Sequence, residues 1–208
     1  MMQTYPNLWV INDMANSEKP DIIAHLQRLD ANDRYLRFFT VLNDEAIARY
    51  VNEMIDFKTQ IGYGIYDTDK KTLIAFAHIT EDKNGTAEVG ISVDKALRGV
   101  GLAKNLMERI LVHCKATGIN TLFMSCLREN KIMQSMARKA GLHVVLDHDE
   151  AIAHLELDVN PFQKVVYQTK EIAHQHVTIF DKCYRQNALL LQSMFDTTYA
   201  LYNRRNSG

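Results

Sequence analysis

Apolar positions along this chain follow two rhythms in turn, and the changes of rhythm mark out its elements. Leu8-Trp9-Val10-Ile11 reads as a first short strand. After Pro20, the stretch from Asp21 to Leu29 has helical spacing, with proline accepted in the N-terminal turn. A second helix opens at Asn43-Asp44, whose short polar side chains suit free backbone N–H groups, and continues through Ala46, Ile47, Tyr50, Val51 and Met54. The period then shortens. Ile61 to Tyr66, Leu73 to Thr80 and Thr86 to Val93 are rich in Ile, Val, Tyr, Phe and Thr. Asp67 to Lys71 and Asp82-Lys83-Asn84-Gly85 separate them as hairpin connectors, which predicts three antiparallel strands in succession. Leu73 to Ile79 is apolar at nearly every position, as a strand covered on both faces would be.

Beyond Val93, helix and strand alternate. Gly101 to Thr117 is helical, with Leu102, Leu106, Ile110 and Cys114 on one stripe and Gly118 ending it. Thr121 to Cys126 is a buried strand, Asn130 to Ala140 a helix closed by Gly141, and Leu142 to Leu146 with Ile152 to Asp158 a final hairpin. The strand–helix–strand unit from Thr86 to Cys126 makes its two strands parallel. The expected fold is a mixed α/β domain over residues 1–160, with a central, mostly antiparallel sheet and helices on both faces. Residues 161–208 contain no strand. Phe180, Cys183, Leu190, Met194 and Leu201, widened by Leu191, Phe195 and Tyr202, predict a long helix, whole or broken. Its apolar stripe needs a cover: the main domain, a second copy in a homodimer, or another protein.

Composition narrows the functional classes. The 208 residues are 47% apolar and 24% charged, which suits one globular domain with an appendage. Lys and Arg number 24 against 25 Asp and Glu, so neither nucleic acid nor a membrane surface is an expected partner. Leu73 to Ile79 is too short to span a bilayer, and the first residues lack the pattern of a signal peptide. Three cysteines without a C-x-x-C pair fit neither a disulfide framework nor a zinc ribbon. The expectation is a cytoplasmic protein. Its eight histidines show no ligand spacing, since His174 and His176 would point to different helix faces, and no metal site is expected.

The chemistry-bearing stretch runs from Glu88 to Lys104. A strand ends near Val93, and Gly99 and Gly101 sit where a helix begins. Glycine lets the backbone approach a ligand at positive φ, and the free N–H groups of a first helical turn attract a pyrophosphate. Arg98 and Lys104 add positive charge. A Rossmann fingerprint fails at Lys104, where a third glycine is needed, and a P-loop fails for want of Gly-Lys-Ser/Thr. The coenzyme A pattern R-x-x-G-x-A is filled by Arg98, Gly101 and Ala103.

Together with Asp33-Arg34-Tyr35-Leu36-Arg37-Phe38-Phe39, Ala87-Glu88-Val89, Asn130-Lys131-Ile132-Met133 and Ala137-Arg138-Lys139-Ala140-Gly141-Leu142, this stretch resembles the GNAT superfamily of N-acetyltransferases. The likeness is strongest to the Pat-type protein lysine acetyltransferase domain, over about residues 5–160. The resemblance implies that the parallel strands splay apart to admit the pantetheine arm of acetyl-CoA as co-substrate. It implies pantetheine contacts from the strand Ile91, Ser92 and Val93, through the backbone of Ile91 and Val93. It implies a pyrophosphate held by the turn Arg98, Gly99, Val100, Gly101, Leu102, Ala103 and Lys104, with Asn130 near the cofactor. Where many relatives carry a tyrosine that protonates the leaving thiolate, this chain has Ala137, which leaves Ser125, Cys126 or water for that task.

The acceptor implied is a primary amine, on a protein lysine or a small molecule. A lysine-like amine has a pKa of about 10.4, so about one in 2,500 is neutral at pH 7, a handicap of roughly 4.6 kcal/mol. A carboxylate is the natural proton acceptor. Glu88 is the candidate, facing away from Val89, Ile91 and Val93 by strand alternation, with His78 as a rival. Partial burial of the acid would help it as a base. A different class also fits: a non-catalytic acyl-CoA-binding regulatory module, with the C-terminal helix as its output surface.

Overall fold

The computed structural model describes residues 9–67 and 71–206, with side chains described as far as residue 187 and at Ser193. A seven-stranded sheet runs through it in the order β1-β2-β3-β4-β5-β7-β6. The strands are β1 (Ile11–Asp13), β2 (Ile61–Asp67), β3 (Thr72–Glu81), β4 (Thr86–Val93), β5 (Thr121–Leu127), β6 (His143–Asp147) and β7 (Glu150–Glu156). The helices are α1 (Lys19–Gln27), α2 (Ala31–Phe38), α3 (Asp44–Met54), α4 (Leu102–Thr117), α5 (Lys131–Lys139) and α6 (Pro161–Asn206). Every neighbouring pair is antiparallel except β4 and β5. The mixed sheet read from the sequence is the one observed.

The two sheet faces carry separate cores. Ala75, Ala77, Ile79, Ala87, Val89 and Ile91 pack with Leu102, Leu106, Met107 and Ile110 of α4. On the opposite face, Leu73 and Phe76 pack with Ile22 and Leu26 of α1 and with Ile47 and Val51 of α3. β3 is covered on both sides, as its unbroken apolar run requires. Asn43 caps α3, its side chain accepting from Ala46 N–H at 2.8 Å.

Two expectations shift, and an alternative left open is settled. The first strand lies at Ile11–Asp13 rather than Leu8 to Ile11, and Leu8 falls outside the described residues, as do residues 68–70 of the first connector. An additional helix, α2, follows α1, capped by Asp30, whose carboxylate accepts from Asp33 N–H at 2.9 Å. The C-terminal segment is one helix of 46 residues, about 70 Å long at 1.5 Å per residue.

That helix runs along α4 and past β1, and the face it lays down is polar. Glu171 pairs with Arg109 and lies 3.3 Å from His113 of α4, while His174 meets Asp13 at 3.0 Å and Lys182 meets Glu18 at 3.0 Å. Arg185 stacks over Tyr66, 3.9 Å from the ring centroid. Burial raises the Glu171 carboxyl, but the hydrogen bonds and charges of His113 and Arg109 outweigh it and hold the group down to about 2. Phe180, at 76% exposed, and Cys183, also exposed, turn outward. The sequence stripe therefore does not mark the docked face there. The surface offered by α4 and the rim of β1 is charged, so it selects ionic partners from α6. Leu190, Leu191, Met194, Phe195, Leu201 and Tyr202 of that stripe have side chains outside the described residues.

Candidate active site

The parallel strands pair only at Thr86↔Thr121, Ala87↔Leu122 and Glu88↔Phe123. Past Glu88 the two diverge, and a gap opens between the second half of β4 and the second half of β5. The hydrogen-bond phase of β4 shows which groups face it. Asp94 N–H donates to Ile74 C=O at 2.9 Å, and the register with β3 runs unbroken from Val93 back to Ala87. In an antiparallel pair such residues alternate, so the even-numbered positions bond β3 and the backbone groups of Ile91 and Val93 turn toward the gap. Arg98 donates to Val93 C=O from Nε at 3.3 Å and from Nη2 at 3.4 Å.

At the mouth of the gap the chain makes the glycine turn into α4. Gly99 has φ 84° and Gly101 φ 95°, a region that side chains with a Cβ rarely enter. A Cβ built on either glycine would meet nothing within 4 Å. Gly101 is the N-cap of α4 and brings no capping side chain. Among the described residues, no backbone carbonyl accepts from the N–H groups of Leu102, Ala103 or Lys104. An open cradle over bare amides, at the positive end of a helix of 16 residues, fits a pyrophosphate.

The cationic side chains nearby are held rather than loose. Arg98 lies 2.7 Å from Asp33, Lys95 2.7 Å from Asp30, and Lys104 3.5 Å from Glu108. The pairings with Asp30 and Asp33 brace the turn against α2. A second brace comes from α1. His25, fully buried, has Nδ1 2.9 Å from Asp94 Oδ1 and Nε2 2.9 Å from Ser92 Oγ. Arg28 joins at Asp94 at 3.1 Å and donates to Leu73 C=O. Burial raises the Asp94 carboxyl, but the His25 hydrogen bond and charge, with those of Arg28, leave it below its ordinary value. Ser92, His25 and Asp94 have the composition of a nucleophilic triad. Ser92 is 9% exposed and its Oγ is turned into α1, so the chain acts as a clamp on the turn.

The sequence-derived residues thus divide. Ile91, Val93, Gly99, Gly101 and the amides of Leu102 to Lys104 share the gap and its mouth. Ser92 does not, since its backbone goes to β3 and its side chain to His25. Leu102 brings only its N–H, its side chain being 1% exposed in the core, while Val100 is exposed. Asn130 caps α5, accepting from Met133 N–H at 3.1 Å through its side-chain oxygen. Ala137 is buried in the core, and burial raises the thiol of Cys126. Ser125 is half-buried on the other face of β5, beside Phe123.

Glu88 stands on β4 opposite Phe123 of β5, at the point where pairing stops, and is exposed. The burial expected to assist it is therefore not supplied by the protein alone. His78 lies on the neighbouring strand, 8% exposed, with Nε2 3.0 Å from Gln60 Oε1 and its ring stacked on Phe76. Burial, helped by the Arg37 charge, lowers its pKa to about 4. It is a neutral donor to Gln60 at pH 7, which removes it as a rival base.

Arg37, part of the motif Asp33 to Phe39, has no role implied by the sequence. One turn after Asp33 on the same face of α2, it lays its guanidinium against the backbone of Gly90. A Cβ there would overlap it, with Cζ at 2.5 Å and Nη1 at 2.9 Å. A glycine inside a strand pattern is the available signal for such a close approach.

Comparison with known proteins gives the family and agrees with the fold. The family described as acetyltransferase (GNAT) matches residues 28–142, more than half of the chain. The chain belongs to the GNAT acetyltransferase family. Among solved structures, it is similar to the GNAT domain of S. lividans PAT at 19% identity and a TM-score of 0.60, covering 71% of this chain and 89% of that one. A GNAT-family acetyltransferase from Streptococcus pneumoniae matches at 15% identity and a TM-score of 0.58, covering 72% and 99%. A phosphinothricin acetyltransferase from Sinorhizobium meliloti in complex with AcCoA matches at 16% identity and a TM-score of 0.55, covering 74% and 91%.

Proposed function

We propose that this chain transfers an acetyl group from acetyl-CoA to a primary amine by direct attack. The observation that carries the reading is the end of β4–β5 pairing at Glu88↔Phe123, which opens a gap leading straight to the uncapped start of α4. The backbone groups of Ile91 and Val93 hold the pantetheine amides, and the amides from Gly99 to Ala103 hold the pyrophosphate. Asn130 Nδ2 meets the cofactor while its oxygen caps α5.

The acyl carbon then lies near the point where the strands part. A neutral amine nitrogen attacks it, a C–N bond forms, and the C–S bond breaks to release the thiolate. Glu88 accepts the amine proton, through water given its exposure. The thiolate regains a proton from water, directly or relayed through the Ser125 hydroxyl, which takes up a proton as it gives one; Ala137 carries no donor, and burial makes the Cys126 thiol a poorer one than usual. The acceptor is a free amine or a lysine side chain. No helix among the described residues is long and apolar enough to cross a membrane, and we place the reaction in the cytoplasm.

Calorimetry with acetyl-CoA, followed by a panel of small amines and lysine peptides, tests the reading. Saturable binding with acetyl transfer to at least one amine supports it. Binding without transfer to any acceptor makes the chain an acyl-CoA sensor instead, and absence of binding overturns both.

A further inference from the structure

We propose that the acceptor amine carries a carboxylate, and that Arg37 binds it. The inference rests on the transfer reading above and names the substrate class for that site. α2 packs against both β4 and β5, so it lies across the place where they part. From it Arg37 reaches Gly90, two residues beyond Glu88 on the same face of β4 and about 7 Å along the strand. The absent Cβ of Gly90 makes the space that the guanidinium fills.

The charge there is unspent. The other arginines of the α1–α2 layer have carboxylate partners, Arg28 with Asp94 and Arg34 with Asp44. Arg98 and Lys95 likewise pair with Asp33 and Asp30. Among the described residues, Arg37 has neither ion pair nor hydrogen bond, and its Nε is buried without a partner. Its one close ring is Phe38, 5.3 Å from Cζ, and the neighbouring His78 is neutral at pH 7. A half-buried guanidinium without a protein counter-ion is matched by a planar oxyanion, which it binds through two parallel N–H···O bonds. The same charge repels an acceptor whose only charge is its ammonium. With Glu88 on the amine and Arg37 on the carboxylate, an amino acid is oriented across the gap with its nitrogen toward the thioester.

The test compares α-amino acids with their primary amides in a steady-state assay with acetyl-CoA, for wild type, Arg37→Gln and Arg37→Lys. The wild type is expected to favour the acid over its amide by at least tenfold in kcat/KM. Arg37→Gln is expected to erase that ratio through KM for the acid, and Arg37→Lys to restore part of it. The ratio is internal to each preparation, so partial loss of folded protein leaves it unchanged. A wild type indifferent to the carboxylate, a ratio that survives Arg37→Gln, or equal losses for acid and amide overturns the assignment while acetyl transfer stands. No transfer to any amine by protein that binds acetyl-CoA overturns the transferase reading and this inference together.

Discussion

Alanine at Gly101 separates the cost of folding the turn from the use to which the turn is put. Gly101 sits at φ 95°, where a residue with a Cβ pays about 1–2 kcal/mol in strain. No protein atom lies within 4 Å of the added methyl, so steric overlap adds nothing to the fold. For a chain of this size each kcal/mol moves Tm by about 2–4 °C, giving an expected drop of roughly 2–8 °C. Binding responds differently. The methyl occupies the space above the amides of Leu102 to Lys104, and a hydrogen bond to a charged group contributes about 1.5–3 kcal/mol. Losing one such bond weakens acetyl-CoA about tenfold to a hundredfold. Gly141 supplies the control, with φ 92°, the same open surroundings, and a place at the far end of α5 from Asn130. Gly141→Ala should cost similar stability, read by thermal melts, and leave affinity unchanged, read by calorimetry. Equal acetyl-CoA affinity in the two variants would refute the reasoning.

Three other perturbations probe different parts. Glu88→Gln is expected to retain acetyl-CoA affinity and lose turnover by about a hundredfold or more, the usual reach of a general base, while an unchanged pH–rate profile would remove Glu88 from that role. His25→Ala should cost about 3 kcal/mol in urea unfolding, because Ser92 and Asp94 are left facing a void, and should weaken acetyl-CoA by loosening the turn; unaltered affinity would mean that the clamp is not needed for the site. For His78 the folded value of about 4 lies below the ordinary 6.5, so the unfolded chain takes the proton first as pH falls. Its contribution is present above pH 6.5 and is lost toward pH 4, by about 3 kcal/mol at most, and His78→Gln should flatten that part of the stability curve.

Much of the architecture was legible because its period was strong. α3 begins after Asn43, as the capping residue predicts, and β2, β3 and β4 fall where the alternating runs lie. α2 was not legible. Its only buried residue is Asp33, which points inward to meet Arg98 rather than a core, so no apolar stripe announces it. The same blindness hid the docked face of α6, where Glu171, His174 and Lys182 make the contacts. At the site, backbone features transferred from the sequence most directly, since glycine spacing encodes the turn itself. The clamp at His25 and the guanidinium over Gly90 join residues far apart in the chain. Their partners become visible only when the sheet brings α1 and α2 over β4.

The central claim is that acetyl-CoA lies in the gap beside β4 with its pyrophosphate on the start of α4. Backbone amide resonances followed during an acetyl-CoA titration test it most directly. Saturating shifts are expected at Ile91, Val93 and the amides from Gly99 to Lys104, with little change around the cavity of about 330 Å³ between Trp9, Arg109 and His174. Shifts centred on that cavity, or a spectrum unmoved by saturating acetyl-CoA, would contradict it.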